Sequence, residues 1–179
     1  MKRTKKSTDK ITLFVFILSG VLFFTACDSR PVAVVESDEP VEIIKDTGTK
    51  PWAFDIEKAT LENENYRMVV WTGDYMQLVL MTLQPGEEID LELHSGHDQF
   101  IRVEEGHATV YMGKNQDNLD FEKEIADDWS IMIPAGYWHQ VKNTGKDELK
   151  LYTLYSPAEH KAGTVHETYN EAKEHGHDH

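Results

Sequence analysis

The stretch "GEEIDLELHSGHDQFIRVEEG", residues 86–106, decides how this chain folds. Two runs of strand-forming residues flank a turn that holds His97, and glycine bounds the whole at either end. Side chains alternate across a strand, so Glu92 and His94 share one face of the first run. On the second run Gln99, Ile101 and Val103 share a face, with Phe100 and Arg102 opposite. If Glu92 and His94 face the interior, where a small β-protein normally keeps aliphatics, the ionisable pair has to be compensated there.

Working outward, the same texture continues on both sides. From about Phe54 the chain reads "YRMVVWTG", "MQLVLMTL", "EIDLEL", "QFIRVEEG", "HATVYMG", "WSIMIPAG", "HQVKN" and "LKLYTLYS". These are short runs of β-branched and aromatic residues. Turn signals separate them, among them Gly73-Asp74, Pro85-Gly86, Gly113-Lys114-Asn115 and Asn143-Thr144-Gly145. About eight strands at this spacing predict an all-β antiparallel sandwich or barrel. There is no internal repeat. The run "IPAGYWHQVKN", residues 133–143, starts a strand at a Pro-x-Gly turn and offers His139 in register with Val141. Glu92, His94, Gln99 and His139, from three strands, then meet in one barrel mouth. Two imidazoles, a carboxylate and an amide oxygen make a first shell for a divalent metal. The same four residues also suit a metal-free barrel with a hydrogen-bonded polar network, and the sequence leaves that alternative open.

The spacing resembles the cupin superfamily. Its first motif runs Gly, five residues, His-x-His, three or four residues, Glu, six residues, Gly; here the series is Gly86, Glu92, His94, Gln99, Gly106. Its second runs Gly, five residues, Pro-x-Gly, two residues, His, three residues, Asn; here it is Asp128, Pro134, Gly136, His139, Asn143. Every interval is kept. The resemblance implies a single cupin double-stranded β-helix, a jelly-roll barrel, over residues 54–157. Two departures bear on function: Glu92 stands where the family usually has its first His, and Gln99 where it has Glu. The exchange keeps one carboxylate and two imidazoles. The Asp-Gln-Phe run and the ending "LYTLYSPAEHKAGTVH" resemble small bacterial single-domain cupins often labelled mannose-6-phosphate-isomerase-like. That label follows the fold and does not establish a reaction.

What the resemblance implies is a centre of Glu92, His94 and His139, with Gln99 as a weaker fourth ligand. The two-His-one-carboxylate set suits Fe, Mn or Co, and Zn fits with one open position. Open positions would serve a small oxygenated ligand. Two readings follow: a metalloenzyme of isomerase, decarboxylase or dioxygenase type, or a non-catalytic module that captures a sugar, an organic acid or the metal. Tyr111 and His97 are the available acid–base groups, although His97 reads first as a rim residue. His107 reads as solvent-facing, and His160 and His166 as surface-loop residues. Trp71, Tyr75, Tyr111, Trp129 and Trp138 read as core or dimer-interface residues, and the apolar strands predict a homodimer through an outer sheet face. Hydrolases and nucleotide enzymes lack their motifs here.

The ends of the chain carry a different message. "MKRTKK" followed by the uncharged run "ITLFVFILSGVLFFTA" reads as a secretory signal, residues 1–26. It ends at Cys27, the only cysteine, in a setting that resembles a bacterial lipobox, with Phe24 where Leu is more usual. Lipidation of Cys27 predicts a protein held at the bacterial cell envelope, each buried CH₂ adding roughly 0.8 kcal/mol. Residues 27–53 read as a flexible linker, and residues 158–179 as a solvated His- and Glu-rich tail with a short helix near Glu167–Glu174. The chain has formal charge −14, and losing five cations and one acid with residues 1–26 takes it to −18. Such a surface repels nucleic acid, and that class of function is excluded.

Overall fold

Strand formation follows the β-branched and aromatic runs. The computed structural model describes residues 46–175. The signal segment, Cys27, the linker as far as residue 45, and His177 and His179 lie outside the described residues. Helix α1 spans Ile56–Glu62. The strands are β1 Arg67–Thr72, β2 Gln77–Leu83, β3 Glu88–Leu93, β4 Asp98–Glu105, β5 His107–Gly113, β6 Phe121–Ala126, β7 Ser130–Ile133, β8 Trp138–Asn143, β9 Leu149–Ser156 and β10 Val165–His166. Helix α2, Tyr169–His175, follows.

Two antiparallel sheets face each other, in the orders β10-β1-β2-β9-β4-β7 and β3-β8-β5-β6. This is the expected all-β jelly roll. Their inner faces meet in one apolar core that draws Val79, Met81 and Leu83 from β2, Ile101 and Val103 from β4, Val110 from β5 and Val141 from β8. Inward and outward positions alternate along β4, where Gln99, Ile101 and Val103 are buried while Phe100 and Arg102 are half-buried.

The structure adds elements that patterning did not reveal. Strand β6 reads "FEKEIA", with four exposed residues in succession, so its apolar signal is too thin to register. Helix α1 stands where a strand-like start was expected. Asp55 caps it by accepting from the Lys58 amide at 3.0 Å, and Ile56, Ala59 and Thr60 line one side at helical spacing. Lys150 reaches over from β9 and donates to the carbonyls of Leu61 and Asn63 at 2.8 and 2.9 Å, satisfying the helix end. Together with Trp52 and Phe54, stacked at 3.7 Å, α1 covers the outer face of β1, β2 and β9, which is why every residue of β2 is buried. Dimerisation was expected through an outer sheet face, and on this sheet the chain itself covers part of that face.

The boundaries read from composition also move. Asp46 accepts from the amides of Gly48, Thr72 and Gly163, tying the supposed linker end to the barrel. The supposed tail packs back as well: β10 pairs with β1, and Ala172 of α2 is buried in the core. The domain therefore includes residues 46–53 and 158–175, whose polar surface concealed a few well-placed anchors.

The motif positions explain themselves by backbone geometry. Asp128, standing where the family has Gly, adopts a φ of 69°, a conformation that Asp tolerates better than most residues, and Arg102 engages its carboxylate. Asn143 is buried; its amide donates to the carbonyls of Leu83 and Asp147, and its oxygen accepts from the Gly145 amide, so it locks a turn. Gly106 has a φ of 96°, and a Cβ there would sit 2.5 Å from the Glu148 carbonyl oxygen. Gly106→Ala is therefore expected to lower stability by about 1–3 kcal/mol, read as a fall in the thermal unfolding midpoint; an unchanged midpoint would contradict this account of the turn.

Candidate metal centre

A register shift in β3 creates the site. Strands β3 and β8 pair with Ile89 opposite Val141 and Glu92 opposite His139. β3 thus advances by three residues while β8 advances by two, and the extra residue forms a β-bulge at Asp90–Leu91. Simple alternation from buried Ile89 would carry Leu91 and Leu93 inward and turn Glu92 and His94 to solvent. The bulge reverses this. Leu93 is 39% exposed, and His94, just past the strand, is only 7% exposed. The Gly136 amide donates to the His94 carbonyl at 2.8 Å, and the Ala135 amide to the Asp98 carboxylate at 2.8 Å. The Pro-x-Gly turn thereby clamps the end of β3 against the start of β8.

Three ligand atoms converge there. Nε2 of His94 and Nε2 of His139 each lie 3.1 Å from the same Glu92 oxygen, Oε1. All three residues offer donor atoms within 4.8 Å of one another. Around an ion with bonds near 2.0–2.2 Å, neighbouring ligand atoms sit about 2.8–3.6 Å apart, so these spacings suit a shared cation. The outward ring nitrogens are already engaged. Nδ1 of His139 donates to the Tyr137 carbonyl at 3.1 Å, and Nδ1 of His94 faces Glu159 at 3.5 Å. A carbonyl only accepts, so His139 commits Nδ1 to donation, and what lies between its Nε2 and Glu92 is either a proton or a cation.

Electrostatics agree with this geometry. Burial alone would raise the Glu92 carboxyl, but hydrogen bonds from His139 and His94 and their charge outweigh it and hold the group well below the usual carboxylate range. For His94, burial works to lower the pKa; the Glu92 bond and the charges of Glu92 and Glu159 prevail and raise it.

Gln99 lies on the facing sheet, buried at 3% exposure. Its Nε2 donates to the Thr153 hydroxyl at 3.1 Å, while its Oε1 is buried without a hydrogen-bond partner among the described residues. A buried amide oxygen without a partner is an acceptor that a cation could satisfy. The residues present therefore suit the divalent ion that the fold family implies.

One acidic partner was missed from sequence, and one histidine lies deeper than expected. Glu159, three residues beyond β9, was grouped with the tail, yet its carboxylate contacts both His94 and His97, the latter at 2.9 Å. His97, expected at the rim, folds inward, its ring stacked on His94 at 4.4 Å, with burial and the His94 charge lowering its pKa. His160 lies in the loop after β9 as expected, but half-buried, with its ring edge-on to Tyr155 at 5.2 Å. His166 sits in β10 opposite Arg67. Tyr111 is absent from the lining of the cleft above the centre, whereas Trp138 belongs to it. That cleft has a volume of about 870 Å³, room for a small molecule. No helix among the described residues is long and apolar enough to cross a membrane.

Residues 79–155 match the family described as Cupin domain. The uncharacterized protein YrkC of Bacillus subtilis (strain 168) is 48% identical over 130 residues, which are 73% of this chain and 70% of that protein. The crystal structure of BH2720 from Bacillus halodurans is similar with a TM-score of 0.72 and 50% identity, covering 73% of this chain and 99% of that one. Auxin-binding protein 1 of Arabidopsis thaliana is 32% identical over 84 residues, 45% of this chain and 42% of that protein.

The Glu159 carboxylate faces Nδ1 of His94 at 3.5 Å. Replacing Glu159 by Gln is expected to weaken divalent-metal binding roughly 10–100-fold. Because the Glu159 charge helps raise the His94 pKa, its loss also lets the proton leave at lower pH, so the pH midpoint of metal binding moves down. Competitive chelator titrations over a pH series read both effects; an unmoved midpoint would deny Glu159 this role.

Proposed function

The chain belongs to the cupin family, and we propose that it binds one divalent cation through Glu92, His94 and His139, with the Gln99 amide oxygen as a fourth ligand. One observation carries the reading: two imidazoles, each with its outer nitrogen engaged, aim their inner nitrogens at one carboxylate oxygen. Two imidazoles and a carboxylate suit Fe(II), Mn(II) or Co(II), and Zn(II) with fewer positions. The bound ion supplies Lewis acidity toward the oxygens of a small ligand in the cleft.

On this reading the protein is a metalloenzyme acting on a small oxygenated molecule by isomerisation, decarboxylation or dioxygenation. His97 is the group suited to take a proton, since its lowered pKa keeps it neutral at ordinary pH. The buried phenols of Tyr66 and Tyr155 are pushed too high to serve as bases. A non-catalytic module is the second reading, favoured by the likeness to a relative whose name states that it binds auxin.

Purified protein is expected to hold a single equivalent of divalent metal and to lose it in His139→Ala with the fold intact. A stoichiometric ion retained by that variant would overturn the centre. Turnover in a substrate screen with added Fe(II) or Mn(II), abolished by His139→Ala, supports the enzyme; tight binding without turnover supports the module.

The cell-envelope tether remains part of the proposal and rests on the sequence around Cys27. Labelled palmitate fed to expressing bacteria is expected to enter the wild-type protein and not Cys27→Ser. Equal labelling of both would remove Cys27 as the anchor.

A further inference from the structure

Arg67 is a charged residue of the cleft that neither the fold nor the cation centre uses. It lies on β1 and lines the cleft, with its guanidinium carbon 5.6 Å from the Tyr66 ring centroid. Its Nε is buried without a hydrogen-bond partner among the described residues. The contrast with Arg102 is informative, since Arg102 is held by both Glu104 and Asp128. No carboxylate of the described residues forms an ion pair with Arg67, in a chain where 32 acids outnumber 18 Lys and Arg. A buried donor left unmet is unfavourable, and a ligand that accepts from it removes the penalty.

The charge of the cleft points the same way. Arg67, Lys161 and Lys173 line it together with Asp90, Glu92 and Glu159, so its formal side-chain charge is zero. A divalent cation makes it positive on an otherwise acidic protein, which draws an anion to this one place. Lys173 is already engaged, 3.8 Å from Asp90 and 3.2 Å from the Tyr169 hydroxyl. Lys161 adds a second cation at the wall, and Arg67 is its one planar fork of donors, the geometry that matches a carboxylate. The Arg67 charge is felt at His94, which places it within electrostatic reach of the centre.

We infer that Arg67 anchors a carboxylate subsite beside the cation centre, so that the cleft takes small organic diacids and hydroxyacids. One carboxylate rests on Arg67, and a second oxygen of the same molecule faces the Glu92–His94–His139 centre. This inference rests on the cation reading for its second contact and on Arg67 alone for its first.

The test is calorimetry on the full chain loaded with Zn(II) or Co(II), with malonate and malate as probes and malonamide and inorganic phosphate as controls. The acids are expected to bind, malonamide is not, and phosphate binds more weakly than the acids. Arg67→Gln is expected to weaken the acids roughly ten- to a hundredfold with the protein still loaded with metal, as checked by metal analysis of the same sample. Arg67→Lys, which keeps the charge and loses the fork, falls between and carries the test if Arg67→Gln does not fold. Acids bound equally by wild type and variants, acids not bound at all, or phosphate bound more tightly would each overturn the subsite. If the chain takes up no metal, the cation reading fails separately, and the same acids are titrated into unloaded protein. Binding there that Arg67→Gln abolishes would keep the subsite; no such binding would end it.

Discussion

The site depends on a single extra residue in β3. The bulge at Asp90–Leu91 exchanges which side of the strand faces the barrel, taking Leu93 out to solvent and bringing Glu92 and His94 in. Burying a carboxylate and an imidazole where leucines would otherwise pack is unfavourable unless both find partners. Register supplies one, since Glu92 pairs directly across from His139. The polar interior is thus a consequence of strand geometry, held in place by the Pro-x-Gly turn that clamps the His94 carbonyl.

Around this centre sits a second layer drawn from distant parts of the chain. Tyr137 fixes the ring of His139, while Glu159 faces His94 and contacts His97. Glu159 is delivered by the segment after β9, which Gln77 secures through both the amide and the carbonyl of His160. The C-terminal segment therefore serves the site as well as the fold: it completes the sheet through β10, buries Ala172 and brings a carboxylate to His94. Loss of that segment removes more than solvent-facing charge.

Much of this was legible in the residues, for identifiable reasons. Strands with strong alternation, such as "QFIRVEEG", announce their faces, and the motif intervals from Gly86 to Gly106 and from Asp128 to Asn143 mark turns whose backbone demands are local. Glu92, His94 and His139 follow from those intervals, and the structure brings them together. Gln99 is placed on the inner face of the opposite sheet with an unmet oxygen. The bulge itself was illegible, because "EIDLEL" alternates as well one way as the other. Glu159 and Arg67 escaped, and His97 was read first as a rim residue, because their places depend on long-range packing of polar segments. Helix α1 and strand β6 escaped for a related reason, their apolar content being small and their partners remote in sequence.

The central claim is that the bulge turns Glu92 and His94 inward to meet His139 around a cation. Anomalous diffraction from crystals of the Co(II)-loaded protein tests it most directly. The account predicts a single strong peak about 2.0–2.2 Å from Glu92 Oε1 and from Nε2 of both His94 and His139. A peak instead on the outer side of His94, between Nδ1, His97 and Glu159, or no peak in the barrel at all, would contradict it.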